Sequence, residues 1–263
     1  MGARVALEAV GAGLMAMGGV LAVPAAIFKT RALWRRSSRW SAILGLLSCV
    51  AAAAVQWQGL GRPPVREVSE SLLLLAPGLA LGYLLIEGLS KSREGGLPIL
   101  LAAAGMALVT ATTLAGYGPL YPDPLPPELA SPWLAAYAVV TLLAYGLLGA
   151  GSVQAVAFLV VERFSPARGE RAGRGAFWAV CLGFPLLVWS LLIAAVIAAD
   201  SRGSLWSWGA RETWTLVYTL VLTAYLCLRY VGHWPERRAT WLLALSLGLW
   251  AVAFLQACRL SGG

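Results

Sequence analysis

The chain has 263 residues, of which 59% are hydrophobic and only 12% are charged, and its formal net charge is +8. Soluble domains are about half apolar and about a quarter charged. This composition therefore excludes a water-soluble enzyme, a nucleic-acid-binding module and a small secreted protein held by disulfides. It predicts a single all-α integral-membrane domain over residues 1–263.

Apolar runs long enough to cross a bilayer recur along the whole chain. A hydrocarbon core about 30 Å thick takes about 20 helical residues per crossing. The breaks between runs contain turn-forming residues, for example the glycines at 95–96 and the proline-dense stretch 119–127. The sequence predicts a polytopic membrane protein with eight transmembrane helices, at residues 7–28, 40–60, 71–89, 97–115, 133–161, 175–199, 213–228 and 239–257.

The basic residues predict which side of the membrane each loop faces. The loops after the first, third, fifth and seventh predicted helices hold 14 of the 20 Lys and Arg residues. Because cytoplasmic loops carry the basic excess, these loops are predicted inside and both termini outside. The run 7–28 is too long for a signal peptide and its basic cluster follows it, so it is expected to remain as a helix.

Cysteine and histidine usage restricts the metal chemistry. The four cysteines lie within apolar runs or at their edges and form no C-x-x-C pair, which excludes the usual zinc, thioredoxin-like and covalent haem-attachment motifs. His233 is the only histidine, so this chain cannot build a multi-histidine metal site by itself.

The Trp-rich loop, residues 201–214, lies between the sixth and seventh predicted helices on the predicted outer face. It contains Trp206, Trp208 and Trp214, with Arg211 and Glu212 among them. Tryptophan is common at the level of the lipid headgroups, so one interpretation is a belt that anchors two helix ends. Aromatic rings beside a basic group also suit a flat acidic ligand. These residues alone leave both interpretations open.

The same segment resembles the W-x-W-D-P-K-E-x-W signature of the haem-handling superfamily of cytochrome c assembly proteins, which includes CcsA (also called ResC), CcmC and HemX. Four further segments resemble motifs of that family in the same order. The likeness covers about residues 60–230 and fits the eight-helix CcsA or HemX form. The matching segments are 63–73 (P-x-N-x-Y-E-S-L), 131–134 (the start of S-x-W-L-x-x-H-V), 182–187 (L-G-F-P-x-L) and 224–229 (Y-L-H-x-R).

The resemblance implies a multi-pass protein of the bacterial cytoplasmic (inner) membrane that acts in cytochrome c maturation. It would present haem at the outer face, within lipid and beside a membrane partner subunit, and have no nucleic-acid partner. It implies no catalytic residue, so the chain would at most be part of a haem-attachment complex and would not be catalytic alone. Six residues of the Trp-rich loop would pack against the haem ring, bind its propionates or fix the start of the seventh helix: Trp206, Trp208, Trp214, Arg202, Arg211 and Glu212.

The chain departs from the family pattern where the family places histidines. Tyr137 and Cys227 occupy two of those positions, and Gly209-Ala210 replaces the Asp-Pro of the signature. Phenolate and thiolate both bind haem iron in other proteins, so Tyr137 and Cys227 are candidate iron ligands, although such residues in a membrane helix more often serve in packing. The missing histidines keep a second hypothesis open: a HemX-like membrane scaffold or regulator of haem synthesis that has lost haem ligation.

Overall fold

A computed structural model describes residues 6–10, 12–14, 16–17, 32–60, 68–90, 133–162, 166–206 and 208–258. These residues are helical apart from short connections, and none of them forms a strand. The all-α prediction is therefore confirmed for this part of the chain. Six helices are complete: α1 (Ala32–Leu60), α2 (Val68–Ser90), α3 (Leu134–Glu162), α4 (Pro166–Arg202), α5 (Ala210–Tyr230) and α6 (Glu236–Cys258).

Five of these six helices are long and apolar enough to cross a membrane, namely α1, α2, α3, α4 and α6. They coincide with the predicted helices 40–60, 71–89, 133–161, 175–199 and 239–257. Helix α5 contains the predicted run 213–228 but is not among the five, because its ends are charged and its interior holds several threonines. The described part of 7–28 is helical, and 97–115 lies outside the described residues.

Small residues allow α2 and α3 to cross at close range. Gly78 and Gly82 are one turn apart on α2, and they face Gly146 and Ala150, also one turn apart on α3. A Cβ atom at Gly146 would lie 2.5 Å from the Cα atom of Gly78, and one at Gly82 would lie 2.8 Å from the Cβ atom of Ala150. Such paired small residues bring two backbones into contact in a membrane, where no hydrophobic driving force acts between helices.

Helix α3 is the centre of the described bundle, since it packs on α2, α4 and α6. Gly149 accepts the indole ring of Trp250 from α6, and a Cβ atom there would lie 2.8 Å from that ring. The Trp250 indole Nε1 donates a hydrogen bond of 2.8 Å to the backbone carbonyl of Tyr145. These contacts fix the positions of α3 and α6 relative to each other.

An ion pair joins α1 and α2. The Arg39 Nε atom lies 2.9 Å from the Glu87 Oε1 atom, and the side chain of Glu87 is only 11% exposed. A carboxylate near the end of a membrane-spanning segment is costly without a partner, so this contact explains how the helix tolerates Glu87. The pair lies 48 residues apart in sequence, and hydropathy does not indicate it.

Candidate ligand site at the Trp-rich end

The backbone of the Trp-rich loop makes two sharp turns. After α4 the chain turns at Gly203, whose φ of 69° favours glycine. Trp208 also has a positive φ, 56°, which is uncommon for a bulky residue. The turn is closed by Thr213, whose hydroxyl donates a 3.4 Å hydrogen bond to the Trp208 carbonyl and whose amide donates to the Gly209 carbonyl at 3.0 Å. The loop therefore has a defined shape that directs Trp208 outward, where it is 73% exposed.

Gly209 is the N-cap of α5, in extended conformation and without a side-chain cap. An aspartate at an N-cap accepts a hydrogen bond from the first turn of a helix, and the family signature has one in this position. This chain lacks that aspartate and keeps only the signature's glutamate, Glu212 in the first turn, where a carboxylate is stabilised by the helix dipole. Glu212 is only 5% exposed, so its side chain is largely removed from solvent.

The three tryptophans differ in exposure and orientation. The rings of Trp206 and Trp208 have centroids 5.9 Å apart and planes at 78°, so they meet edge to face. They form an L-shaped surface and not one flat face. Trp206 is half-buried, and its indole Nε1 is buried with no hydrogen-bond partner among the described residues. Trp214 is 37% exposed on the first turns of α5.

Arg211 and Tyr137 come together although they are 74 positions apart in the chain. The guanidinium carbon of Arg211 lies 5.7 Å from the centre of the Tyr137 ring, which is the geometry of a cation–π contact. Tyr137 is 8% exposed, whereas the Arg211 side chain is 25% exposed. The same guanidinium lies 4.0 Å from a Glu212 oxygen. Tyr137, Arg211 and Glu212, which the sequence indicates as candidate site residues, are therefore neighbours in the structure.

This cluster defines the Trp-rich end of the bundle, formed by the start of α3, the end of α4 and the start of α5. Arg202 is the last residue of α4, and its side chain lies outside the described part of the structure. Cys227 is remote from the cluster, in the last turn of α5 and exposed. The 16 residues between Arg211 and Cys227 correspond to about 24 Å of helix. Cys227 and Tyr137 therefore do not belong to one site.

His233 lies beyond the far end of α5, in the exposed connection to α6. It is separated from the Trp-rich loop by the whole length of α5, about 31 Å for 21 residues. Within the described ranges, no group of three or more His, Cys, Asp or Glu side chains could hold a metal ion. The side chains that the Trp-rich end presents to a ligand are therefore those of tryptophan, arginine and tyrosine.

Sequence reasoning missed the interior neighbours of this cluster. The Thr215 hydroxyl donates a 2.8 Å hydrogen bond to the Arg211 carbonyl and also lies 3.1 Å from the Tyr145 hydroxyl. Thr215, Thr219 and Thr223 recur every four residues along α5. This four-residue spacing is the sequence signal that could have indicated a polar interior next to the site, because it places three hydroxyls on adjoining faces of one helix.

The helices and their apolar lengths define a polytopic α-helical membrane protein. Residues 65–257 match the family model described as cytochrome C assembly protein. The match covers most of the chain, which therefore belongs to the cytochrome c assembly protein family. This confirms the resemblance read from the Trp-rich loop and its flanking motifs.

Curated relatives agree with the family match over nearly the full length. The chain is 31% identical to the cytochrome c biogenesis protein CcsA of Synechococcus elongatus, over 82% of each chain. It is 28% identical to the protein of the same name from Microcystis aeruginosa, again over 82% of each. The CcsA of Porphyra purpurea is 28% identical, over 85% of this chain and 86% of the relative. These relatives show that the likeness extends well beyond the Trp-rich loop.

Proposed function

We propose that this protein acts in cytochrome c maturation by holding haem at the Trp-rich end of the bundle. The relatives are named for cytochrome c biogenesis, and the loop keeps the tryptophans and the glutamate of the family signature, with Arg211 at the position of its lysine. The observation that carries the proposal is the convergence of Arg211, Tyr137 and the loop tryptophans at one end of the bundle. The CcsA relatives support this role over that of a regulator of haem synthesis.

The side chains at this end fit the carboxylates and the ring of haem. The Trp206 indole N–H is buried without an acceptor among the described residues, and the Arg211 guanidinium is partly exposed. Both groups are donors for a propionate, and an arginine gives a charge-assisted bond. The exposed ring of Trp208 offers apolar area, at about 25 cal/mol per Å² buried. When bound, haem supplies the group that is attached to cytochrome c.

Each residue then has a distinct role in the proposal. Arg211 binds a propionate and is held in place by its contacts with Tyr137 and Glu212. Trp208 covers one part of the ring and excludes water from it. Trp206 donates its indole N–H. Arg202 is proposed as a second propionate partner on the evidence of its position in the sequence.

Axial ligation of the iron is the part that this chain does not supply with histidine. Its only histidine, His233, lies at the opposite end of α5. We therefore propose that the iron ligand is Tyr137, water or a residue of a membrane partner subunit. A bis-histidine low-spin absorption spectrum from the isolated chain would contradict this assignment, and a high-spin spectrum that changes in Tyr137→Phe would support it.

The test of the site uses two tryptophans of similar exposure. Trp208→Ala should abolish haem co-purification and cytochrome c maturation, because it removes the ring that covers the ligand. Trp189→Ala is the matched control, since Trp189 is 61% exposed on α4 and lies outside the Trp-rich loop. Both variants should insert and express normally, because neither ring is buried in the bundle. Full activity of the Trp208→Ala variant would favour the anchoring belt.

We further propose eight transmembrane helices in the bacterial cytoplasmic membrane, with the Trp-rich end and both termini outside. The support is the excess of basic residues in alternate loops. In a variant that lacks the four native cysteines, Ser204→Cys should react with an impermeant thiol reagent added from outside. His233→Cys, at the other end of α5, should react only after the membrane is permeabilised. Labelling of both from the same side would refute this topology.

A further inference from the structure

A row of buried hydroxyls lies between α3 and α5, on the membrane side of the proposed haem site. It consists of Thr141, Tyr145 and Ser152 from α3 with Thr215 and Tyr218 from α5, and is called the hydroxyl seam below. These five residues are between 0% and 6% exposed. The α3 members are four and seven residues apart, which places them on one face of that helix.

One part of the seam is directly hydrogen-bonded. The Tyr145 and Thr215 hydroxyl oxygens are 3.1 Å apart, and Thr215 lies 2.8 Å from the Arg211 carbonyl. Because the single hydroxyl proton of Thr215 is donated to that carbonyl, Tyr145 is the donor to Thr215. The proposed haem site and the seam are therefore connected through the Arg211 backbone.

The rest of the seam has buried oxygens that no described residue satisfies. Thr141 Oγ1, Ser152 Oγ and the Tyr218 hydroxyl have no hydrogen-bond partner within the described ranges. The Tyr218 hydroxyl and the Ser152 Oγ atom are neighbours across the seam, but they form no direct bond of acceptable geometry. Thr215 and Thr219 donate to backbone carbonyls four residues earlier, and Thr141 does not. Three such groups on one interface are costly in a low-dielectric interior.

Aromatic rings close the seam towards α6. The Tyr145 and Tyr218 rings are nearly parallel, with centroids 6.3 Å apart. Phe254 of α6 meets the edge of Tyr145 at 5.8 Å and stacks on Trp250 at 5.7 Å. Helix α5 packs mainly on α6, and it reaches α3 through these long side chains. The polar oxygens are thus separated from lipid by rings on this side.

We propose that the hydroxyl seam is an internal water-binding site that connects the Trp-rich end with the middle of the membrane. Buried water usually makes two to four hydrogen bonds to polar groups that have no other partner. A water that contacts both the Tyr218 hydroxyl and the Ser152 Oγ atom satisfies both groups, since ordered water commonly bridges neighbouring polar groups. From Thr141 to Ser152 the seam covers 11 residues of α3, about 16 Å of a hydrocarbon core about 30 Å thick. By this route water reaches the middle of the membrane, whether or not haem binds at the outer end of the seam.

The first experiment compares two tyrosine variants by thermal unfolding in detergent. Tyr218→Phe keeps the ring and removes the hydroxyl. If water binds that hydroxyl, the midpoint falls by about 2–4 °C. If the hydroxyl is dry and unsatisfied, the midpoint rises, because phenylalanine removes a buried polar group without a partner. Tyr145→Phe is the control for loss of a direct hydrogen bond and should lower the midpoint.

The second experiment detects the water itself. Radiolytic hydroxyl-radical labelling in 18O-water oxidises buried side chains that touch internal water. Tyr218 should be labelled several-fold more than Phe158, which is 2% exposed and serves as the buried aromatic control, and Ser152→Ala should reduce the labelling of Tyr218. The proposal requires both a lower midpoint for Tyr218→Phe and this labelling. A raised midpoint, or labelling of Tyr218 no greater than that of Phe158, overturns it.

Discussion

The contact between Arg211 and Tyr137 allows a quantitative test of the site. Arg211→Met removes the positive charge and keeps the length of the side chain. Tyr137→Leu removes the ring face and keeps a buried apolar group. The two single variants and the double variant form a cycle that isolates the energy of this one contact from the other contacts of each residue, such as that between Arg211 and Glu212.

The expected coupling energy follows from distance and burial. Cation–π contacts within about 6 Å contribute about 0.5–1 kcal/mol when exposed and about 2 kcal/mol when desolvated. The Arg211–Tyr137 distance is 5.7 Å, Tyr137 is 8% exposed, and the Arg211 side chain is 25% exposed. This partly desolvated geometry predicts a coupling of about 1–2 kcal/mol.

The assay is unfolding of the four proteins in detergent, together with haem co-purification. A second cation–π pair provides the control: Arg229 lies 5.4 Å from the Phe177 ring centre, away from the Trp-rich end. The Arg229→Met and Phe177→Leu cycle should give a coupling of similar size and leave haem retention unchanged. The Arg211→Met variant should lose haem, because a propionate partner is removed.

Two results would refute this reasoning separately. A coupling energy within about 0.3 kcal/mol of zero would mean that Arg211 does not rest on Tyr137. Normal haem retention in Arg211→Met would leave the contact intact as a structural feature and remove Arg211 from the proposed ligand site.

Two further predictions concern the bundle. Gly146→Ala should destabilise the protein by about 1–3 kcal/mol in a thermal unfolding assay, because its Cβ atom would lie 2.5 Å from Gly78. Gly248→Ala is the control and should be neutral or stabilising, since nothing lies within 4 Å of the new Cβ atom. Equal unfolding midpoints for the two variants would argue against the close crossing of α2 and α3. Arg39→Gln should lower the free energy of unfolding by about 1 kcal/mol more than the double variant Arg39→Gln with Glu87→Gln does, because the single variant leaves a partly buried carboxylate without its cation. The measurement is chemical unfolding. Additive effects of the two substitutions would show that the ion pair contributes nothing to stability.

The positions of most helices could be predicted from the sequence, because an apolar run in lipid must satisfy its own backbone and does so as a helix. Helix ends were less predictable. Helix α4 extends from Pro166 to Arg202, well past the apolar run 175–199, because charged residues at the membrane surface can continue a helix. The run 213–228 was predicted correctly as helical, but its first turn begins at Ala210.

The contacts within the site could be predicted only in part. The family motif indicated Arg211, Glu212 and the tryptophans, because these residues are close together in sequence. The contact of Arg211 with Tyr137 depends on which faces of α3 and α5 meet. Hydropathy does not contain that information, since every face of a membrane helix is apolar enough to contact either lipid or another helix. The bond between Tyr145 and Thr215, 70 positions apart, was missed for the same reason.

The length of α4 makes the Trp-rich loop responsive to the thickness of the surrounding bilayer. Its apolar segment, Gly173–Asp200, has 28 residues and measures about 42 Å, whereas a typical hydrocarbon core measures about 30 Å. A helix with this mismatch tilts, and a thicker membrane reduces the tilt. Because α4 leads directly into Gly203, a change in tilt moves the loop relative to the headgroups. Lipid chain length is therefore expected to alter how far Trp208 stands above the membrane surface.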